Sequence, residues 1–133
     1  MQHERTALRE VAMLTINTER IGSLAVFLCK GRVVSSADVF KLRDTVLAQG
    51  GSVVVMALDL SEVKAIGGGG VGMLAFLSNW ARKRGIRFTL YGPSKPVVEG
   101  LAGSRLNGQL EVTGFHEMVG ILMGCDEQQL VAA

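Results

Sequence analysis

The chain has 133 residues, of which 48% are hydrophobic and 20% charged, and it carries a formal net charge of +2. That length is enough for one domain with a normal core, and that composition excludes intrinsic disorder. So small a charge, with no basic stripe interleaved with aromatics, gives no support for nucleic-acid binding.

The longest unbroken apolar runs, Leu24 to Cys29 and Val53 to Leu58, are far too short to span a bilayer. The charged start, Met1-Gln2-His3-Glu4-Arg5, lacks the apolar core of a signal peptide. A cytoplasmic protein without membrane insertion is the expectation. Cys29, Cys125, His3 and His116 sit at no metal-ligand spacing, and no Ser-His-Asp or Cys-His arrangement is suggested. No catalytic residue, metal or cofactor is therefore expected.

In chain order, Val11 to Thr18 reads as a partly alternating strand, with a hairpin-like connection at Glu19-Arg20-Ile21-Gly22. Leu24 to Cys29 is a second strand, and Lys30-Gly31-Arg32 reads as a turn. Ser35-Ser36-Ala37-Asp38 supplies an N-cap signal for a helix whose apolar stripe is Val39, Leu42, Val46 and Leu47. The β-branched run from Ser52 to Leu60 predicts a strand buried on both faces. Ser61 to Ile66 reads as a spacer, followed by a glycine loop, Gly67-Gly68-Gly69-Gly70, that opens a helix over Val71–Arg84. Cations and then Gly85 close that helix. Ile86 to Tyr91 is a fourth strand, Pro96 to Leu101 a short helix with proline at its start, Leu110 to Val112 a short strand, and Glu117 to Met123 a last helix. The pattern predicts an α/β fold: a central mixed, mostly parallel sheet of about four to five strands covered by about four helices. Function in such sheets gathers at the carboxyl ends of strands, where the glycines stand.

The stretch Leu58-Asp59-Leu60-Ser61, a short spacer, then Ile66-Gly67-Gly68-Gly69-Gly70-Val71-Gly72 and an apolar helix ending in Arg82-Lys83-Arg84-Gly85 resembles the core of a STAS domain, the anti-sigma factor antagonist family. Gly31-Arg32-Val33 and Gly92-Pro93-Ser94 match as well. The resemblance covers roughly residues 11–123 and implies a single STAS-like domain across residues 1–133. It further implies that Gly67 replaces the family's loop aspartate, Gly68 its phosphoacceptor hydroxyl and Gly69 the next serine. Val34 stands where the family has a second acid. With no Ser, Thr or Tyr between Glu62 and Phe76, this stretch has no hydroxyl to phosphorylate.

Two readings of the glycines stay open: a docking surface without a negative switch, or a bare connection. Phosphate capture fits poorly, because five glycines within six residues match a dinucleotide fingerprint by chance and no acid ends the next strand. On the following helix, Met73, Leu74, Phe76, Leu77, Trp80 and Ala81 fill an arc of roughly 160°, wider than a core stripe of about 100° needs. Leu74, Leu77 and Ala81 are the core set, so Phe76 and Trp80 on the flank are candidate partner contacts. Asp59 is expected to accept backbone amides rather than to take part in catalysis.

The resemblance thus implies a non-enzymatic protein-interaction module of bacterial partner switching. Its implied partner is an anti-sigma factor of the serine-kinase type or a related regulatory protein. The expected partner-binding residues are Arg32, Val34, Gly67, Gly68, Gly69, Gly70, Val71, Gly72, Phe76 and Trp80. Alternatives are an accessory subunit of a lipid-transport ABC complex, a nucleotide-binding STAS domain, and a homodimer formed through Phe76 and Trp80.

Overall fold

A computed structural model describes residues 12–132, and side chains within them other than those of Asn107 and 125–132. Strand β1 (Leu14–Ile21) pairs antiparallel with β2 (Leu24–Val33) as a hairpin, but the connection is Gly22-Ser23 alone, because Glu19, Arg20 and Ile21 pair with Val26, Ala25 and Leu24 as the end of β1. Helix α1 (Ser36–Leu47), β3 (Val55–Ile66), α2 (Gly68–Lys83), β4 (Arg87–Tyr91), α3 (Lys95–Ala102), β5 (Glu111–Thr113) and α4 (Phe115–Ala132) follow. The five strands form one sheet in the order β1-β2-β3-β4-β5, parallel from β2 onward. Among the described residues, the mixed sheet and four α-helices match the architecture expected from the sequence.

Both faces of β2 and β3 are covered, which is why these strands read as continuous apolar runs. On one face Phe27, Met56, Leu58 and Leu90 are fully buried with Leu42 and Val46 of α1, Leu74, Leu77 and Ala81 of α2, and Val97 and Leu101 of α3. Each such large side chain contributes about 1.5–3 kcal/mol of burial. The other face holds a smaller cluster, Leu24, Val55 and Ala57 beneath Met118 of α4. The Arg87 guanidinium anchors the start of α4, donating from Nη2 and Nε to Glu111 Oε1 at 2.6 and 2.9 Å and from Nη2 to Glu117 Oε2 at 3.1 Å. These carboxylates, Glu111 first, raise its pKa above the ordinary arginine value against the opposing effect of partial burial.

Several boundaries differ from the sequence reading, each for a physical reason. Lys30-Gly31-Arg32 is not a turn but part of β2, irregular in register there. Gly31 adopts φ +108°, and a Cβ at that position would stand 2.1 Å from the Met13 carbonyl oxygen, so the residue that resembles a turn glycine is instead a crossing point. No spacer separates the buried strand from the glycines, because β3 runs on to Ile66. Past Asp59 its partner β4 has ended, and it pairs with β2 alone. Polar Ser61, Glu62 and Lys64 are therefore tolerated there on the exposed side while Leu60 and Val63 stay buried. The final helix is longer than the stretch from Glu117 to Met123, β5 starts one residue later than expected, and Val11 and His3 lie outside the described residues.

Cys29 is 2% exposed in the first cluster. Burial, and secondarily the charge of Asp59, push its thiol up to about 12. A buried neutral thiol is a poor nucleophile. In a Cys125→Ser variant, an aromatic disulfide reagent is expected to release no colour from the native protein while the urea-unfolded chain reacts fully. Stoichiometric reaction of the folded form would contradict this placement.

Candidate docking edge

Strands β2 and β3 end side by side, with Val33 opposite Ile66, and each turns at once into a helix. The Gly67 N–H donates to the Val33 carbonyl at 3.0 Å, tying the two exits together. The sheet thus presents two parallel helix starts at one edge, where function gathers in open α/β sheets.

The α1 start is fixed by a capping box. The Asp38 N–H donates to Ser35 Oγ at 3.1 Å, and Asp38 Oδ2 accepts the N–H groups of Ser35 at 3.0 Å and Val34 at 3.1 Å. Oδ1 accepts the Met13 N–H at 2.5 Å, which docks the chain before β1. Asp38 is 1% exposed rather than solvated. Burial pushes its carboxyl up, but the amides of Ser35, Val34 and Met13 outweigh burial and hold it below the usual carboxylate value.

The α2 start differs from the expected loop. Gly67 is an extended N-cap (φ −99°), and Gly68 to Gly70 are already the first helical turn. No side chain caps this end. The first amides of a helix have no intrahelical acceptor, so Gly68 and Gly69 bring exposed backbone donors to the surface. Gly70 is buried, and its role is steric. A Cβ there would stand 2.7 Å from Ile66 Cγ1 and 2.8 Å from the Val33 carbonyl oxygen. Gly68 and Gly72 face open space. A hollow of about 450 Å³ lies beside this start, between Gly67, Gly68 and Gly72 on one side and Gly103 to Leu106 on the other.

The predicted partner residues separate into three groups. Arg32, Val34, Gly67, Gly68 and Gly69 converge on the edge, with Val34 56% exposed and its Cα 3.9 Å from where a Gly67 Cβ would be. Gly70 and Val71 lie beneath it and are buried. Gly72 is exposed on α2, and Phe76, 50% exposed, follows four residues further on. Trp80 is partly buried. It packs on the first core cluster over Gly50, with the Arg84 guanidinium stacked 4.7 Å from its ring. Sequence reasoning missed Phe40 of α1, which is 49% exposed with Arg43 stacked 4.9 Å from its ring. Its signal was its place outside the Val39, Leu42, Val46 and Leu47 stripe.

Asp59 serves structure, as expected. Its Oδ1 accepts the Ser61 N–H at 3.0 Å and the Ser61 hydroxyl at 2.6 Å, although Ser61 belongs to the strand rather than to a loop. Among the described residues no His, Cys, Asp and Glu group could hold a metal, and no helix is long and apolar enough to cross a membrane.

This architecture defines an α/β domain with an antiparallel hairpin at one sheet edge and paired helix starts at the carboxyl ends of its central strands. The STAS domain profile matches residues 15–126, and the chain belongs to that family. No curated protein matches the sequence. Among solved structures it is similar to the anti-sigma factor antagonist SpoIIAA in its unphosphorylated form, with TM-score 0.68, 17% identity, and coverage of 83% of this chain and 97% of that one. An anti-sigma factor antagonist from Mycobacterium paratuberculosis superposes with TM-score 0.66 at 18% identity, over 74% of this chain and 84% of the other. SLC26A9 is matched with TM-score 0.67 at 19% identity, but the shared region covers 84% of this chain and only 21% of that one. At these identities the likeness is one of fold.

Proposed function

We propose that this STAS domain is a non-enzymatic docking module that binds a regulatory protein, an anti-sigma factor of the serine-kinase type, in partner-switching control. The observation that carries the reading is the edge itself. Exposed Val34 offers apolar contact beside the bare backbone donors of Gly68 and Gly69, with Arg32 at the rim, and exposed Phe40 and Phe76 lie further along α1 and α2. Aromatic and arginine side chains in such settings are the usual anchors of protein interfaces. The anti-sigma factor antagonists among the similar folds favour the same class of partner. With no hydroxyl and no carboxylate from Val63 to Ala75, occupancy of this edge is set by competition and partner abundance rather than by phosphorylation of the α2 start.

Gly68→Asp tests this cleanly. Its side chain enters open space, and an acid in the first helical turn favours the helix by about 0.3–1 kcal/mol. The variant is expected to fold at least as well as the wild type while placing a negative charge in the middle of the docking edge. Capture from native cytosol should retain a kinase-like partner on the wild type and on Gly68→Ala and lose it on Gly68→Asp. Equal capture of that partner by all three would reduce the glycines to a connection.

A further inference from the structure

The second face of the sheet, away from the docking edge, is only partly closed by α4. Between them lies a cavity of about 180 Å³. Its floor is Val26 and Ala57, and its roof is Met118 and Leu122 of α4. Three polar side chains reach it: Glu19, Asp59 and Tyr91. We propose that this cavity is a binding site for a small apolar cation, a single ring or short branched alkyl group bearing one ammonium.

Size and charge both lead there. An apolar cavity of about 150 Å³ suffices to take up benzene, so this one holds a single ring and little more. Among the described residues, the ionisable groups lining it are carboxylates and a phenol, with no lysine, arginine or histidine to receive an anion. Asp59 is half buried, and both hydrogen bonds it accepts from Ser61 fall on Oδ1, so Oδ2 accepts none among the described residues. Tyr91 adds an aromatic ring, which attracts cations over its face. An apolar pocket with a few convergent polar groups of one sign is the usual form of a small-molecule site. The site shares no residue with the docking edge, so its test is independent of the proposed function.

Benzylammonium is the probe, with phenylacetate and benzyl alcohol as the anionic and neutral controls of similar shape. Titrated into the 15N-labelled full chain, benzylammonium is expected to shift the amides of Ala57, Asp59, Tyr91 and Met118 saturably. Asp59→Asn keeps an oxygen for Ser61, and Glu19→Gln alters an exposed side chain, so both should retain the dispersed spectrum of the fold. Each is expected to weaken benzylammonium roughly fivefold, the scale of one partly screened charge pair. Absence of saturable shifts at these residues overturns the proposal. So does binding of phenylacetate or benzyl alcohol as tight as that of benzylammonium, or unchanged affinity in both variants.

Discussion

Replacing Asp38 by alanine is expected to cost about 3 kcal/mol of folding stability, more than a helix cap alone is worth. A capping residue contributes about 1 kcal/mol. Asp38 also receives the amides of Val34, Ser35 and Met13, and donors left without an acceptor at partly buried sites cost about 1–3 kcal/mol each when water does not replace the bond. Because the native carboxyl titrates below its unfolded value, the stability it supplies is complete above about pH 4, the ordinary aspartate value, and is lost as pH falls through the lower native value. Urea unfolding followed by circular dichroism across the acid range should show the wild type weakening in that window. The alanine variant should be weaker near neutral pH, with the difference shrinking through that window and that component of the slope gone. An unchanged midpoint in Asp38→Ala would mean that Met13 and the α1 start are held by something else.

The second large effect separates two glycines only two residues apart. Gly70→Ala is expected to destabilise the fold by about 1–3 kcal/mol, the usual cost of forcing a methyl group into a filled core. The Val33 carbonyl is backbone at the end of a paired strand and cannot step aside as a side chain can. Gly72→Ala meets nothing in space and lies within the helix, so it should gain up to about 1 kcal/mol from helix propensity. Thermal melts of the two single variants should therefore move in opposite directions. Movement in the same direction would show that the glycines act by backbone freedom alone, without a steric distinction between them.

That contrast marks how far the sequence could be read. The element order, the hairpin, the two-sided burial of β3 and the core stripes of α1 and α2 follow from local periodicity, which survives folding unchanged. The start of α2 does not follow, because glycine disfavours helix in isolation and four in a row read as a loop. Tertiary packing decides otherwise: Gly70 lies against Val33 and Ile66, contacts no local pattern displays. Gly31 misleads for the same reason, since its partner is the Met13 carbonyl some eighteen residues upstream. At the proposed docking edge, Val34 and the glycines are singled out through the family motif. Phe40 and the cavity under α4 depend on which surfaces the fold leaves uncovered, and the linear chain holds little trace of that.

The direct passage from β3 through Gly67 into α2 also bears on the thermodynamics of recognition. A flexible glycine loop would have to be ordered by each partner, and that entropy would be subtracted from every affinity. Here the glycines are ordered when the chain folds, by the sheet on one side and the helix on the other. A partner binding at the proposed docking edge would meet it already in shape, as pre-organised interfaces do, with backbone shifts of about 1 Å or less. Its complexes should consequently form with a heat-capacity change that reflects buried surface alone, without the excess that accompanies folding on binding.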